Sequence, residues 1–317
     1  MTDRQKPELI VVVGPTASGK TELALRLAEL VGGEIVNADS VQVYRHFDIG
    51  SAKPTLAQAA RVPHHLVDIV EPSQPLDAAQ WCALAESAID DIARRGRRPI
   101  VSGGTFLWVK ALVYGLVAAP PADPALRERH RQLALMHGRP ALHARLAEVD
   151  PASAARLNPN DFVRVSRALE VFELSGEPLS SLQQAHGFQN QRYPAKLVGV
   201  ARERSDLDRR IVERTQQMFR AGWLEEVRSL LARGFASCRA MRSVGYRQIA
   251  EALQGGEPLD LGQLETQVVR ATRIFARRQR TWLKDQPVHW LPPDASAKPD
   301  GALLDLLDRP TSEPCTG

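Results

Sequence analysis

Residues 14 to 21 read GPTASGKT, and Gly14, Gly19, Lys20 and Thr21 fill every fixed position of the pattern G-x-x-x-x-G-K-T. The chemistry of that pattern is anion binding. Along Gly14, Pro15, Thr16, Ala17, Ser18, Gly19, Lys20 and Thr21, successive backbone N–H groups and the positive end of a following helix are expected to cradle phosphate oxygens. Lys20 adds a point charge, and the Thr21 hydroxyl can ligate Mg²⁺. Such a loop either presents a nucleotide for phosphoryl transfer or grips a diphosphate about to leave. By itself it does not choose.

Asp39, in the stretch EIVNADS, stands where an open α/β sheet meets its ligands. Its ordinary role would be to cap the turn that follows. Beside a phosphate loop it can instead hold Mg²⁺ indirectly, as in nucleotide kinases, or act as a general base on an acceptor. Gly103, Gly104 and Thr105 make a second glycine-bearing turn, where missing side chains let backbone and substrate approach closely. Thr105 can donate a hydrogen bond to a phosphate or a base, although paired glycines also mark plain tight turns. His64 and His65 lack a third ligand in register and read as structural.

These groups need elements that bring them together. ELIVVVG (8–14) is a short apolar run rich in Val that stops at Gly, as a buried parallel strand does, and KTELALRLAELVGG after the loop has helical spacing of Leu23, Leu27 and Leu30. The alternation continues with expected strands at 34–40, 64–70 and 98–104 and helices between and after them. This predicts an α/β fold, a P-loop-containing doubly wound parallel sheet. From about residue 119 to 190 the periodicity is helical only, a helical insertion domain; the core is expected over 1–118 and 191–292, with a last strand in PVHWL.

Charge is unevenly spread. The chain of 317 residues carries +4 overall, but residues 293–317 carry −3 and read as an acidic, poorly ordered tail in which ALLDLLD has helical character. The basic signal is strongest in VVRATRIFARRQRTWLK, where Arg270, Arg273, Arg277, Arg280 and Lys284 recur every three or four residues and would line one helix face. An ordinary surface helix mixes signs, whereas Val268 to Lys284 holds six cations and no acid. Arg164, Arg167, Arg242 and Arg247 add cations, and Tyr246 adds an aromatic suited to base stacking. Together they favour RNA.

In order along the chain, GPTASGKT, NADSVQVYRHFDIGSAKP, VPHHLVDI, SGGTFLWVKAL, LNPNDFVRVSRALEVF, RSVGYRQ and RRQRTWLK resemble the signature segments of the bacterial tRNA dimethylallyltransferases, over about residues 8–291. The resemblance implies transfer of a dimethylallyl group from dimethylallyl diphosphate to the exocyclic amine of the adenosine just 3′ of the anticodon. The loop would hold the departing diphosphate with Mg²⁺ as cofactor, Asp39 would be the general base, and Lys20, Thr105 and Arg214 would complete the catalytic group. The tRNA anticodon stem-loop is the implied partner. Its contacts would be Asp39, Ser40, Val41, Gln42, Thr105, Arg127, Val163, Arg164, Val165, Ser166 and Arg167. Further contacts would be Arg242, Ser243, Val244, Gly245, Tyr246, Arg247 and the run Arg277, Arg278, Gln279, Arg280, Thr281, Trp282, Leu283, Lys284. Ser51 and Ser102 replace a Thr and a Val common in the family, and no C-terminal zinc-finger spacing is present, which points to the bacterial form. A small-molecule kinase is the alternative that the loop alone allows.

Cys82, Cys238 and Cys315 lie far apart without C-x-x-C spacing, so neither a disulfide framework nor a zinc site is expected and a reducing cytoplasm fits. No apolar run approaches the ~20 residues of a membrane span. No long exposed apolar helix asks for a second copy, and a monomer is expected.

Overall fold

The computed structural model describes residues 6–188, 190–256, 258–298 and 300–308. The chain forms two compact units, one of Met1–Val113 with Arg192–Gly317 and one of Tyr114–Gln191.

In the first unit, strands β1 (Leu9–Val13), β2 (Gly33–Asn37), β3 (His64–His65) and β4 (Arg98–Ser102) alternate with helices α1 (Lys20–Val31), α2 (Leu56–Arg61) and α3 (Ala78–Arg94), and α4 (Phe106–Tyr114) follows β4. After the second unit the chain returns as β5 (Ala195–Val200) and β6 (Val288–Leu291), and the sheet order is β3-β2-β4-β1-β5-β6, every neighbouring pair parallel. All five residues of β1 are buried, because helices cover both faces of the sheet and leave no polar side to alternate with. On one face Ile10, Val12, Ile35 and Ile100 pack with Leu23 and Leu27 of α1. On the other, the rings of Trp81 (α3) and Trp108 (α4) stack at 4.9 Å, and the Trp81 indole N–H donates to Asn37 O at 3.1 Å. Each fully buried indole contributes about 2–3 kcal/mol of apolar transfer, and the hydrogen bond keeps its polar edge from opposing that gain.

The expected strand over 64–70 shrinks to two residues. Leu66 and Asp68 take φ values of 62° and 57°, which no strand accommodates, and pairing resumes only as a single bridge between Tyr44 and Val70. α2 was not foreseen, although its Thr55/Gln58 capping box is a readable start signal. The expected poorly ordered tail is different in part: ALLDLLD lies in a last helix (Asp300–Asp308), as its helical character suggests, but Leu303 is buried with Ala295 in the α1 cluster and Arg26 pairs with Asp300. Residues 309–317, with Cys315, lie outside the described residues.

The second unit is helical throughout: α5 (Pro124–His137), α6 (Arg139–Val149), α7 (Pro151–Arg156), α8 (Phe162–Ser175) and α9 (Leu179–His186). The pairs Asp123-Pro124 and Asp150-Pro151 start α5 and α7: each Asp side chain accepts a backbone N–H of the first turn, and each Pro sits where a helix needs no N–H donor. Leu142, Leu146, Ala154, Val165, Ala168 and Leu169 form its own core.

Between β5 and β6 lie α10 (Arg204–Arg220), α11 (Trp223–Ala232), α12 (Tyr246–Gln254) and α13 (Leu261–Leu283). Ala17 of the phosphate loop packs into an apolar cluster with Leu207 and Ile211 of α10 and Val269 and Ala276 of α13. No helix among the described residues is long and apolar enough to cross a membrane.

Candidate active site

The loop after β1, the Asp39 turn after β2 and the Gly103–Gly104 turn after β4 leave the carboxyl ends of three adjacent strands. Strand order thus gathers residues far apart in sequence. The loop is bent through positive φ at Ala17 (63°) and Gly19 (97°), the latter at the start of α1. A β-carbon on Gly14 would stand 2.7 Å from Ser18 Oγ, so a side chain there would fill the cradle. Ser18 is fully buried, and its Oγ has no hydrogen-bond partner among the described residues. Buried polar atoms are normally satisfied, so an orphan in an anion loop fits a ligand that brings acceptor oxygens.

Four cations surround the loop. Arg202 Nε donates to Ser18 O at 2.7 Å and Arg210 Nε to Ala17 O at 2.8 Å, bracing the loop through its carbonyls. Asp206, in the first turn of α10, holds Arg202 at 2.8 Å. Lys20 is half-buried; desolvation and the neighbouring Arg214 push its amine down to about 8, opposed by Asp39. Burial also lowers Arg214, with Asp39 again the opposing charge. Holding these two cations together costs free energy that one carboxylate relieves in part, and a polyanion would relieve it further. Arg202 and Arg210 were missed by sequence reasoning; the four-residue spacing of positions 206, 210 and 214 was the available signal.

Asp39 does cap its turn: Oδ1 accepts from the N–H groups of Val41 (2.9 Å) and Gln42 (3.3 Å). Its Oδ2 accepts no hydrogen bond among the described residues. Thr105 is bound to the same turn, accepting the Ser40 N–H on Oγ1 at 2.9 Å and donating its own N–H to Ala38 O at 3.1 Å. The Gln42 side chain donates to Ser51 O and Ala52 O, both at 3.0 Å. His64 and His65 face away from any metal role in this arrangement: His64 Nδ1 meets Val62 O at 2.8 Å and His65 Nε2 meets buried Glu34 at 2.7 Å.

Several expected RNA contacts have buried side chains. Tyr246 is 1% exposed; its ring meets Phe47 and Trp223, and its hydroxyl donates to Glu226 at 2.6 Å, so it cannot stack on a base. Glu226, unforeseen, also accepts the N–H groups of Asp48 (3.0 Å), Ile49 (2.7 Å) and Gly50 (3.3 Å). Gly245 is buried as well, because a β-carbon there would fall 2.0 Å from the Trp223 ring. On α13, Gln279 and Leu283 turn inward, while Arg277, Arg278, Arg280, Thr281, Trp282 and Lys284 are exposed, as are Arg270 and Arg273. Arg242 and Arg247 are exposed, and Ser243 and Val244 are half-buried.

In the helical unit, Val165 and Ser166 are core residues, the Ser166 hydroxyl meeting buried His130 at 2.9 Å. Arg127 and Arg167 are engaged by fully buried Glu170, Arg127 with two hydrogen bonds of 2.9 Å and Arg167 with one of 2.5 Å. Burial opposes charge on Glu170, but these guanidinium bonds outweigh it and hold the carboxyl below the usual range. Both arginines thus serve the unit's own fold, whereas Val163 and Arg164 are exposed.

The pattern of the IPP transferase family matches residues 42–286, and that of isopentenyl transferases matches residues 7–65. A tRNA dimethylallyltransferase of Sorangium cellulosum is 62% identical over 284 residues, 90% of each chain, and one of Geobacter sulfurreducens is 49% identical over 288 residues, 90% of this chain and 92% of the relative. Among solved structures, the tRNA isopentenylpyrophosphate transferase of Bacillus halodurans superposes with a TM-score of 0.69 at 33% identity, covering 96% of this chain and 97% of that one. A eukaryotic dimethylallyltransferase acting on tRNA gives 0.74 at 25% identity, over 90% and 74%. With matches of this extent on a parallel sheet that ends in a phosphate loop, the chain belongs to the tRNA dimethylallyltransferase family of prenyltransferases.

Proposed function

We propose that the protein transfers the dimethylallyl group of dimethylallyl diphosphate to the exocyclic N6 of the adenosine just 3′ of the anticodon in tRNA and releases diphosphate. The observation that carries this is the pairing, at the carboxyl ends of the strands, of an anion loop faced by Lys20 and Arg214 with a carboxylate whose Oδ1 is committed to its turn while Oδ2 is open.

The N6 lone pair forms the new C–N bond to the allylic carbon. The C–O bond to the diphosphate breaks, and its electron pair leaves with the diphosphate. The proton released from N6 passes to the Asp39 carboxylate. An adenine amine is a feeble nucleophile because its lone pair is delocalised into the ring, so a placed base contributes about 10²- to 10⁴-fold. Negative charge grows on the leaving group, where Lys20, Arg214 and the loop amides are already fixed and need no reorganisation. The exposed Thr21 hydroxyl and the unpartnered Ser18 Oγ fit a magnesium ion bound with the phosphates; Thr21 would hold it, and it would neutralise the diphosphate's charge. The target base must leave its stack, at a cost of about a few kcal/mol that is smaller in a single-stranded loop.

The exposed Arg242, Arg247, Arg277, Arg280 and Lys284 of the sheet unit, and Val163 and Arg164 of the helical unit, are the positions proposed to meet the anticodon arm. A small-molecule kinase would use the same loop but has no use for that cationic helix face. Incubation with Mg²⁺, labelled dimethylallyl diphosphate and unmodified tRNA, with labelled ATP in parallel, is expected to move prenyl label into RNA without ATP hydrolysis. ATP turnover with no label in the RNA would sink the proposal in favour of the kinase.

A further inference from the structure

Gln279 lies on α13 among exposed Arg277, Arg278 and Arg280, yet it is only 5% exposed. Its Oε1 accepts the Thr16 N–H of the phosphate loop at 2.8 Å, and its Nε2 donates to Gly104 O at 3.1 Å. The assignment of the two amide ends is fixed by chemistry: turned over, an NH₂ would face an N–H and an oxygen would face a carbonyl oxygen. Gly104 leaves the space that Gln279 uses, since a β-carbon there would stand 2.6 Å from Nε2; the same point lies 3.9 Å from Lys20 Nζ. The amide of Gln279 and the amine of Lys20 therefore both border the space beside Gly104. One turn earlier on α13, Ala276 packs against Ala17 of the loop.

We infer that Gln279 is a positioning residue that fastens the phosphate loop to the Gly103–Gly104 turn and to α13, so that the helix with the cationic outer face sets the shape of the anion site. This rests on the loop being the diphosphate grip proposed above. A neutral side chain carrying a donor and an acceptor on one planar end can bridge a free N–H and a free C=O as a neighbouring strand would. Neither Glu nor Lys offers both. Because Thr16 N–H is committed to Gln279, the anion is left to the amides nearer α1, which orients the loop toward Lys20 and Arg214.

The test compares wild type with Gln279→Met, which keeps the volume and removes both hydrogen bonds, and Gln279→Glu, which keeps the acceptor for Thr16 and sets an oxygen against Gly104 O. Three quantities are read: affinity for inorganic diphosphate with Mg²⁺ by calorimetry, affinity for an anticodon stem-loop RNA by fluorescence anisotropy, and kcat at saturating tRNA. Two lost hydrogen bonds predict that Gln279→Met weakens diphosphate binding and lowers kcat by about tenfold, with RNA affinity within about twofold of wild type. Gln279→Glu should show the same split and decides the matter if the Met variant does not fold. Unchanged diphosphate affinity and kcat, or a loss confined to RNA affinity, overturns the inference. The diphosphate arm does not depend on prenyl transfer: a wild type that binds diphosphate but modifies no tRNA defeats the proposed function and leaves Gln279 to be judged on binding alone.

Discussion

Gly103 lies so close to Ala38 that a β-carbon on it would stand 2.2 Å from the Ala38 carbonyl oxygen. That contact joins the ends of β2 and β4 and lets Thr105 reach both Ala38 O and the Ser40 N–H, which is how the Asp39 turn is set beside the phosphate loop. The obstacle is backbone, which has no rotamer to give, so Gly103→Ala must separate the two strand ends. Overpacking of this kind costs about 1–3 kcal/mol. Thermal unfolding should register that loss, and single-turnover prenyl transfer should fall further than stability does, because the Thr105–Ser40 bond opens.

Asp39 has two roles on its two oxygens, and one substitution separates them. Asp39→Asn keeps an oxygen to accept the Val41 and Gln42 N–H groups but cannot take a proton. Turnover should drop by about 10²- to 10⁴-fold with stability and tRNA affinity nearly unchanged. Asp39→Ala should add a stability loss of about 1 kcal/mol from the unmade cap. An Asn variant that turns over normally removes Asp39 as the base.

Lys20 carries its amine at about 8 against an ordinary 10.5. At pH 7 it is charged, and the charge is costly until an anion arrives. Diphosphate affinity should decline as pH rises through about 8, and binding near pH 8 to 9 should take up a proton, visible as a calorimetric heat that depends on the buffer. The sign for stability is opposite. Between about 8 and 10.5 the unfolded chain binds more protons at this site than the native one, so the penalty of burying the charge is full below that window and fades as pH rises through it. Lys20→Met should accordingly raise the Tm of the ligand-free protein at pH 7 while removing the share of the pH dependence of diphosphate binding that the amine contributes.

Glu226 holds the Asp48–Gly50 amides and the Tyr246 hydroxyl at once. Removing it in Glu226→Ala leaves several donors without a partner, a loss of about 2–4 kcal/mol. Tyr246→Phe removes one donor and should cost about 1 kcal/mol. Urea unfolding gives the magnitudes, and faster hydrogen exchange confined first to the amides of 48–50 in the Ala variant would identify the clamp.

Much of the fold was legible because its signals are local. A five-residue apolar run ending at glycine and a complete G-x-x-x-x-G-K-T act through neighbours in sequence, and both appear where expected. The strand over 64–70 failed because its apolar pattern does not reveal that Leu66 and Asp68 adopt positive φ. In the tail, the helical character of ALLDLLD is realised in the helix Asp300–Asp308, whereas the acidic composition hides two apolar side chains, Ala295 and Leu303, that find a cluster made by α1.

By itself, then, the amino-acid order determined the phosphate loop, the parallel sheet that presents it, the helical insertion and the family to which the chain belongs. Which side chains face the ligand and which hold the fold was decided only by tertiary structure. Tyr246 and Gln279 sit in cationic segments and look like RNA contacts, yet one is buried on Glu226 and the other on the loop itself, while Arg202 and Arg210 brace carbonyls roughly 190 residues away in sequence. The physical reason is that a helix pattern gives the period of a side chain, whereas its partner depends on which strands and helices the sheet order brings alongside.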